Sequence, residues 1–428
     1  MKLTALFLAL LASNAAPHDY MADLVSAEAK YAEASGRAQR ESPAGILPAD
    51  QERQMLAVAR SMVGDTIGAN EMMRGHREGP ASEKSFGDTR DILVNYRAEN
   101  ALGAILREAK SRQIVILNEG HHVPRHRAFA LRLAIELRKL GFEYIAMETL
   151  SPKLDTPALV RRGYARIEDG YYSREPLFGD LIRRSLAVGY KVVAYEQQYD
   201  PNGNYADAIA RIDGREEAQA QNLMDRLLKD RPNARLFIYL GYGHLVKEPV
   251  AIGDGKMMLW MAGRLRAKSG VDPLCIDETQ VGEADRTGAY DDLIDALFPK
   301  PGGDPVALAS RSISGKYWPG IEGTDMQIIH PSARLIDGRP DWMSMNGYRK
   351  PRAIPAELLP KRGRRLIQAF VEGEAADAVP MDQVIVTAGE KPTVLLLPKG
   401  RYRFAFQDEV VTSSLPSPSA AQSGSRVH

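Results

Sequence analysis

The stretch QIVILNEGHHVPRHRAFALRLAIELRKLGFEYIAMETL, Gln113 to Leu150, holds a complete structural sentence. It opens with an apolar run (QIVIL) and passes through a polar loop with Pro124. A segment of helical spacing ending in Gly141 follows, and then a second apolar run (YIAME). Runs that are apolar throughout, rather than alternating, predict strands covered on both faces. Pro at a first helical turn and Gly at the end are the usual start and stop of a helix. The stretch therefore predicts a strand–helix–strand unit of a parallel sheet.

The pattern repeats outward. KVVAYE (191–196), RLFIYLGY (235–242) and PLCID (273–277) have the same character, and LFGDLIRRSLAVG, REEAQAQNLMDRLLKD and MMLWMAGRLRAKSG supply the intervening helices. The predicted fold class is α/β, a mainly parallel sheet flanked by helices, over 89–300. Upstream, 17–88 predicts a helical or partly disordered region. Residues 301–364, rich in Gly, Pro and aromatics, predict a loop-rich extension with a few strands. Residues 365–411 predict a small C-terminal β-rich appendage, and the Ser/Pro tail 412–428 is expected to be disordered.

Bulk composition excludes some functions. Lys+Arg of 56 against Asp+Glu of 55 leaves no basic footprint for nucleic acid. Residues 1–16 show Lys2, an apolar segment from Leu3 to Ala12 and small residues before Ala15 and Ala16, as in a secretory signal peptide. That segment is shorter than the roughly 20 residues of a membrane span. The expectation is an exported chain, periplasmic or extracellular, with no stable span once mature. A single cysteine, Cys275, allows no internal disulfide and reads as a small buried hydrophobe.

In an open parallel sheet, ligands bind beyond the carboxyl ends of the strands. Each predicted strand delivers ionisable groups there: Glu119, His121 and His122; Glu148; Tyr195 and Glu196; His244; Asp277 and Glu278. His122 and His126 imitate the spacing of an HExxH zinc helix, but Pro124 breaks the helix between them. Two chemistries stay open. In the first, Glu119 or Glu148 orients His121 as a general base, with His244 completing the site. In the second, His121, His244, Glu119 and Glu148 ligate a divalent metal. Arg215, on a helical polar stripe, reads as a clamp for an anionic substrate group, beside Glu196. The loop Tyr171–Glu175 offers Tyr172 and Arg174 to substrate. His126 and His122 fall in supporting positions. Tyr172, Tyr195 and Tyr242 keep haem binding without turnover open.

Taken in order, NEGHHVPRHR, LGFEYIAMETL, GYYSREP, VVAYE, REEAQAQNL and GYGHLVKEP resemble the ChaN-like, Tiki and erythromycin-esterase-like superfamily over about 112–280. The resemblance implies a parallel α/β core with Glu119, His121, His126, Glu148, Gly241 and His244 at motif positions. It also implies a hydrolase of ester or amide bonds, metal-assisted in some members, or a haem binder, acting on a small-molecule or peptide substrate. Asn118 stands where these families often carry Gly.

Overall fold

The computed structural model describes residues 17–38, 48–74, 88–198, 208–252, 256–281 and 290–410. The expected signal peptide and C-terminal tail lie outside them. Among the described residues, no helix is long and apolar enough to cross a membrane.

The main sheet comprises β1 (Tyr96–Asn100), β2 (Ile114–Glu119), β3 (Tyr144–Met147), β4 (Lys191–Val193), β5 (Leu236–Gly241), β8 (Leu274–Asp277), β9 (Val306–Ser310) and β10 (Met326–Ile329). A two-residue hairpin, β6 (Val250–Ala251) with β7 (Met257–Met258), lies outside it. Sheet order is β1-β9-β10-β8-β2-β5-β3-β4. From β10 to β4 every neighbouring pair is parallel, whereas β9 runs antiparallel to both β1 and β10. The chain thus has the α/β architecture with a mostly parallel sheet. The stretch expected to be loop-rich also supplies β9 and β10, whose runs are too short to stand out from the Gly/Pro background.

Alternation along the strands explains why both faces are covered. Val115, Leu117, Ile145, Met147, Phe237 and Tyr239 face α5 (Ala101–Ala109), α6 (Pro124–Lys139) and α8 (Pro176–Ala187). The intervening Ile114, Ile116, Ala146, Ile238 and Leu240 face α9 (Ala208–Leu223) and α10 (Met261–Ser269). Period-two alternation then assigns the strand ends: Glu119 and Gly241 fall on the α6 side, and Asn118 and Glu148 on the α9 side.

The N-terminal helices α1 (Tyr20–Ala38), α2 (Pro48–Met62) and α3 (Thr66–Met73) are packed, not loose. Tyr20, Met21, Leu24, Leu56 and Val63 form a cluster with Leu366. Leu366 belongs to β14 (Arg364–Val371), which pairs antiparallel with β15 (Asp382–Thr387) and β17 (Tyr402–Asp408). Arg364 fixes the contact with a two-pronged bond to Glu28 at 2.8 and 2.9 Å. With β11 (Leu335–Ile336) paired to β12 (Arg339–Pro340) and β13 (Lys350–Ala353) paired to β16 (Val394–Leu397), small antiparallel sheets occupy the C-terminal region. A buried pair, Arg349 with Asp180 at 2.6 Å, ties that region to α8 of the core.

Candidate functional site

On the α6 side, Glu119 ends β2 almost fully buried and takes four hydrogen bonds. Arg127, one turn into α6, donates Nε to Oε2 at 2.8 Å and Nη2 to Oε1 at 3.1 Å. Tyr239 Oη donates to Oε2 at 2.9 Å, and His121 Nδ1 lies 3.0 Å from Oε1. Burial opposes ionisation, but the Arg127 charge and the bonds from His121 and Arg127 outweigh it. The carboxyl is held at about 2. An ionised carboxylate only accepts, so the proton of His121 sits on Nδ1 and Nε2 is left as a base.

Gly241 makes room for that imidazole. A β-carbon placed there would lie 2.3 Å from His121 Cε1, 2.6 Å from Nε2 and 3.2 Å from Glu148 Oε2. The imidazole and the second carboxylate thus share the space above a residue that has no side chain. Tyr172 stacks on the His121 ring, with centroids 3.7 Å apart and planes 11° apart. Glu119, His121, Glu148, Tyr172, Tyr239 and Gly241 enclose a cavity of about 10 Å³. That is room for roughly one water.

On the α9 side, Glu148 accepts the Gly241 N–H on Oε2 at 2.6 Å. Its Oε1 accepts from Arg215 Nη2 and lies 3.4 Å from His244 Nε2. Burial raises the carboxyl, but His244, Arg215 and His121 prevail and hold it well below the carboxylate range. Arg215 also binds Glu196, through Nε at 3.1 Å and Nη2 at 2.5 Å. His244 Nδ1 stands 2.6 Å from Glu216 Oε1, at ion-pair distance but out of hydrogen-bond line. Burial lowers this imidazole, but Glu148 and Glu216 together raise it above its ordinary range. His244 and the Arg215 guanidinium, whose Nη1 lies 3.2 Å from His244 Nε2, therefore face an ionised Glu148 across the cleft from His121.

The structure brings Glu119, His121, Glu148, Glu196, Arg215, His244 and Tyr172 into one neighbourhood. Arg215, expected as a substrate clamp, is engaged by Glu148 and Glu196 instead. Arg174 points elsewhere: its Nε donates to Ile167 O at 3.1 Å, its guanidinium packs over Tyr171, and its carbonyl accepts the Tyr20 hydroxyl at 2.8 Å. His126 braces the loop by accepting the Gly120 N–H on Nδ1 at 3.0 Å. His122 is buried, with Nδ1 3.4 Å from Tyr242 Oη. Burial drives both His122 and His126 down to about 3. Tyr242 adopts φ +38°, a left-handed conformation costly for a bulky residue, and its hydroxyl accepts the His121 N–H at 3.2 Å. Asn118 crosslinks strand ends, through Asp277 and the Glu278 N–H.

Neither cofactor expectation fits this pocket. Among the described residues, His121, His244, Glu119 and Glu148 do not form a set of converging metal ligands, and the cations placed against the two carboxylates are guanidinium groups. A haem needs far more than 10 Å³ beside Tyr172, and the Tyr195 ring is wholly buried in the α9-side core. Sequence reading missed Arg127, Tyr239 and Glu216. Arg127 was hidden among the histidines of HHVPRHR, Tyr239 inside an apolar strand, and Glu216 in a charged helix. The signal for Arg127 was its place one turn into a helix that starts beside Glu119.

No family model and no curated protein matches the chain. Similar solved structures include RRSP, a MARTX toxin effector domain from Vibrio vulnificus CMCP6, at 16% identity over 64% of this chain and 59% of that one, TM-score 0.31. The type III effector HopBA1 is 12% identical over 56% of this chain and 98% of that one, TM-score 0.31. The C-terminal region of Pasteurella multocida toxin is 10% identical over 82% and 54%, TM-score 0.32. Another, described as bacterial protein toxins, is spanned over 58% of its length at 15% identity and TM-score 0.31. At these identities and scores the likeness carries no argument about function.

Proposed function

We propose that this protein is an exported hydrolase of ester or amide bonds, acting on a small-molecule or peptide substrate, with a site of the ChaN-like, Tiki and erythromycin-esterase-like pattern. The observation that carries the reading is the His121 imidazole. Its Nδ1–H is held by an ionised Glu119, and its basic Nε2 edge faces a one-water cavity beside Glu148. In this reading His121 takes a proton from the cavity water as that oxygen attacks the scissile carbonyl. Glu119 holds the ring and stabilises the imidazolium that forms. His244, whose hold on a proton Glu148 and Glu216 strengthen, offers a proton to the leaving group, and the Arg215 guanidinium keeps Glu148 ionised. Glu148 holds both in place. Tyr172 covers His121, so substrate enters only when that ring swings aside.

The test is a panel of aryl and alkyl esters, lactones and short peptides offered to the full-length mature protein, to His121→Ala and to Glu148→Gln. Turnover by the wild type that both substitutions reduce at least about a hundredfold supports the proposal. Turnover that survives both assigns the chemistry to another site.

A further inference from the structure

A second constellation lies at the same sheet edge, one strand further along. Glu278 directly follows β8, and His330 directly follows β10, its parallel neighbour in the sheet. His126, in the first turn of α6, closes the group. Ligand atoms of the three lie within 4.8 Å of one another, and His330 Nε2 is 2.9 Å from Glu278 Oε2. We propose that His126, Glu278 and His330 form a binding site for a divalent first-row transition metal, distinct from the Glu119–His121 cleft.

The donor set is the first argument. Two imidazoles and one carboxylate suit Zn²⁺, Fe²⁺, Mn²⁺ or Co²⁺, and ligands about 2.1 Å from one ion stand roughly 3.5 Å apart, so the triad closes by no more than about 1.5 Å. Charge is the second. Four other buried carboxylates face a guanidinium, Glu119 with Arg127, Glu148 with Arg215, Asp180 with Arg349 and Asp382 with Arg339, while Asp277 takes neutral donors from Asn118 and Thr279. Glu278, wholly buried, has only His330 in ion-pair contact among the described residues, and its Oε1 has no hydrogen-bond partner. A buried carboxyl oxygen left bare is costly, and a cation satisfies it. The third argument is access. His330 also lines a cavity of about 270 Å³ with Arg125, Arg132, Phe129 and Trp342, so one of the three ligands borders open space.

Binding would also reach the cleft. Gly120 N–H donates to His126 Nδ1, so the nitrogen left for a metal is Nε2. An ion at Nε2 displaces its proton, which Nδ1 must then carry, and two N–H groups cannot share that bond. Metal binding therefore releases the Gly120 amide, next to Glu119 and His121.

The experiment uses chelator-stripped full-length mature protein titrated with Co²⁺ and with Zn²⁺. Co²⁺ binding is read by its visible absorption, Zn²⁺ binding by calorimetry, and the Gly120 amide by NMR. One equivalent is expected, with a shifted Gly120 signal. Affinity should fall on the order of a hundredfold in Glu278→Gln and in His330→Asn but hold in His121→Ala. Should those buried variants fail to fold, anomalous diffraction from Zn²⁺-soaked wild-type crystals gives the answer without them: a peak among His126, Glu278 and His330 supports the site. No stoichiometric binding, binding indifferent to Glu278 and His330, or a peak beside His121 overturns it. None of these outcomes depends on turnover, so the site can fail while the hydrolase reading stands.

Discussion

Gly241→Ala tests the geometry of the cleft with one carbon atom. The backbone at Gly241 is extended (φ −92°, ψ 148°), a conformation alanine adopts without strain, so only the new methyl acts. It would stand 2.3 Å from His121 Cε1, whereas ordinary carbon contacts begin near about 3.5 Å. The imidazole must therefore shift by about 1.2 Å, which disturbs its 3.0 Å bond to Glu119 and its stacking on Tyr172. Overpacking of this kind costs roughly 1–3 kcal/mol of stability. A displacement of about 1 Å in a reacting group costs on the order of a hundredfold in rate. The assay pairs kcat on the best substrate with thermal unfolding and with ¹⁵N NMR of labelled histidine. A rate within twofold of wild type, with unchanged His121 signals, would refute the reasoning.

Three further outcomes follow from the buried charges and rings. The folded protein refuses protons at His122 and His126 until about pH 3, while the unfolded chain accepts them near 6.5. Stability therefore falls as pH drops below 6.5, by roughly 4 kcal/mol for the pair at pH 5. Glu119, held at about 2 against an ordinary 4.5, adds a further loss below pH 4.5. Urea midpoints that stay flat from pH 6.5 to 4.5 would contradict this. Arg127→Met leaves Glu119 and Glu175 buried beside no guanidinium and should cost roughly 3–5 kcal/mol in chemical denaturation. A loss under about 1 kcal/mol would show that the pairing matters little. Tyr172→Ala uncovers His121, so diethylpyrocarbonate should modify that histidine faster than in wild type; equal rates would mean the ring is no cover.

The parallel core was legible because its strands are buried on both faces and therefore apolar throughout, and because their helices carry Pro and Gly punctuation. The antiparallel end was not. β1 reads YRAEN, mostly exposed, and β9 and β10 are short runs in a Gly/Pro-rich region; pairing with distant partners, not local pattern, makes them strands. At the site, the strand-end rule located Glu119, His121, Glu148 and His244 but could not assign their partners. Which face each strand end takes depends on register, and register decides that Arg127 of α6 meets Glu119 while Arg215 of α9 meets Glu148. The same blindness hid His330, whose strand lies in a stretch expected to be loop-rich with unplaced strands, although it too ends at the carboxyl edge. Gly241 was visible as part of GYGH, but its reason, space for an imidazole from another strand, belongs to the folded chain alone.

The decisive measurement is kcat/KM for the best ester or amide substrate with chelator present, wild type against His121→Ala. If His121 acts as a general base held by Glu119, turnover persists in chelator and falls by at least about a hundredfold on removing the imidazole. Turnover that His121→Ala leaves intact would contradict it.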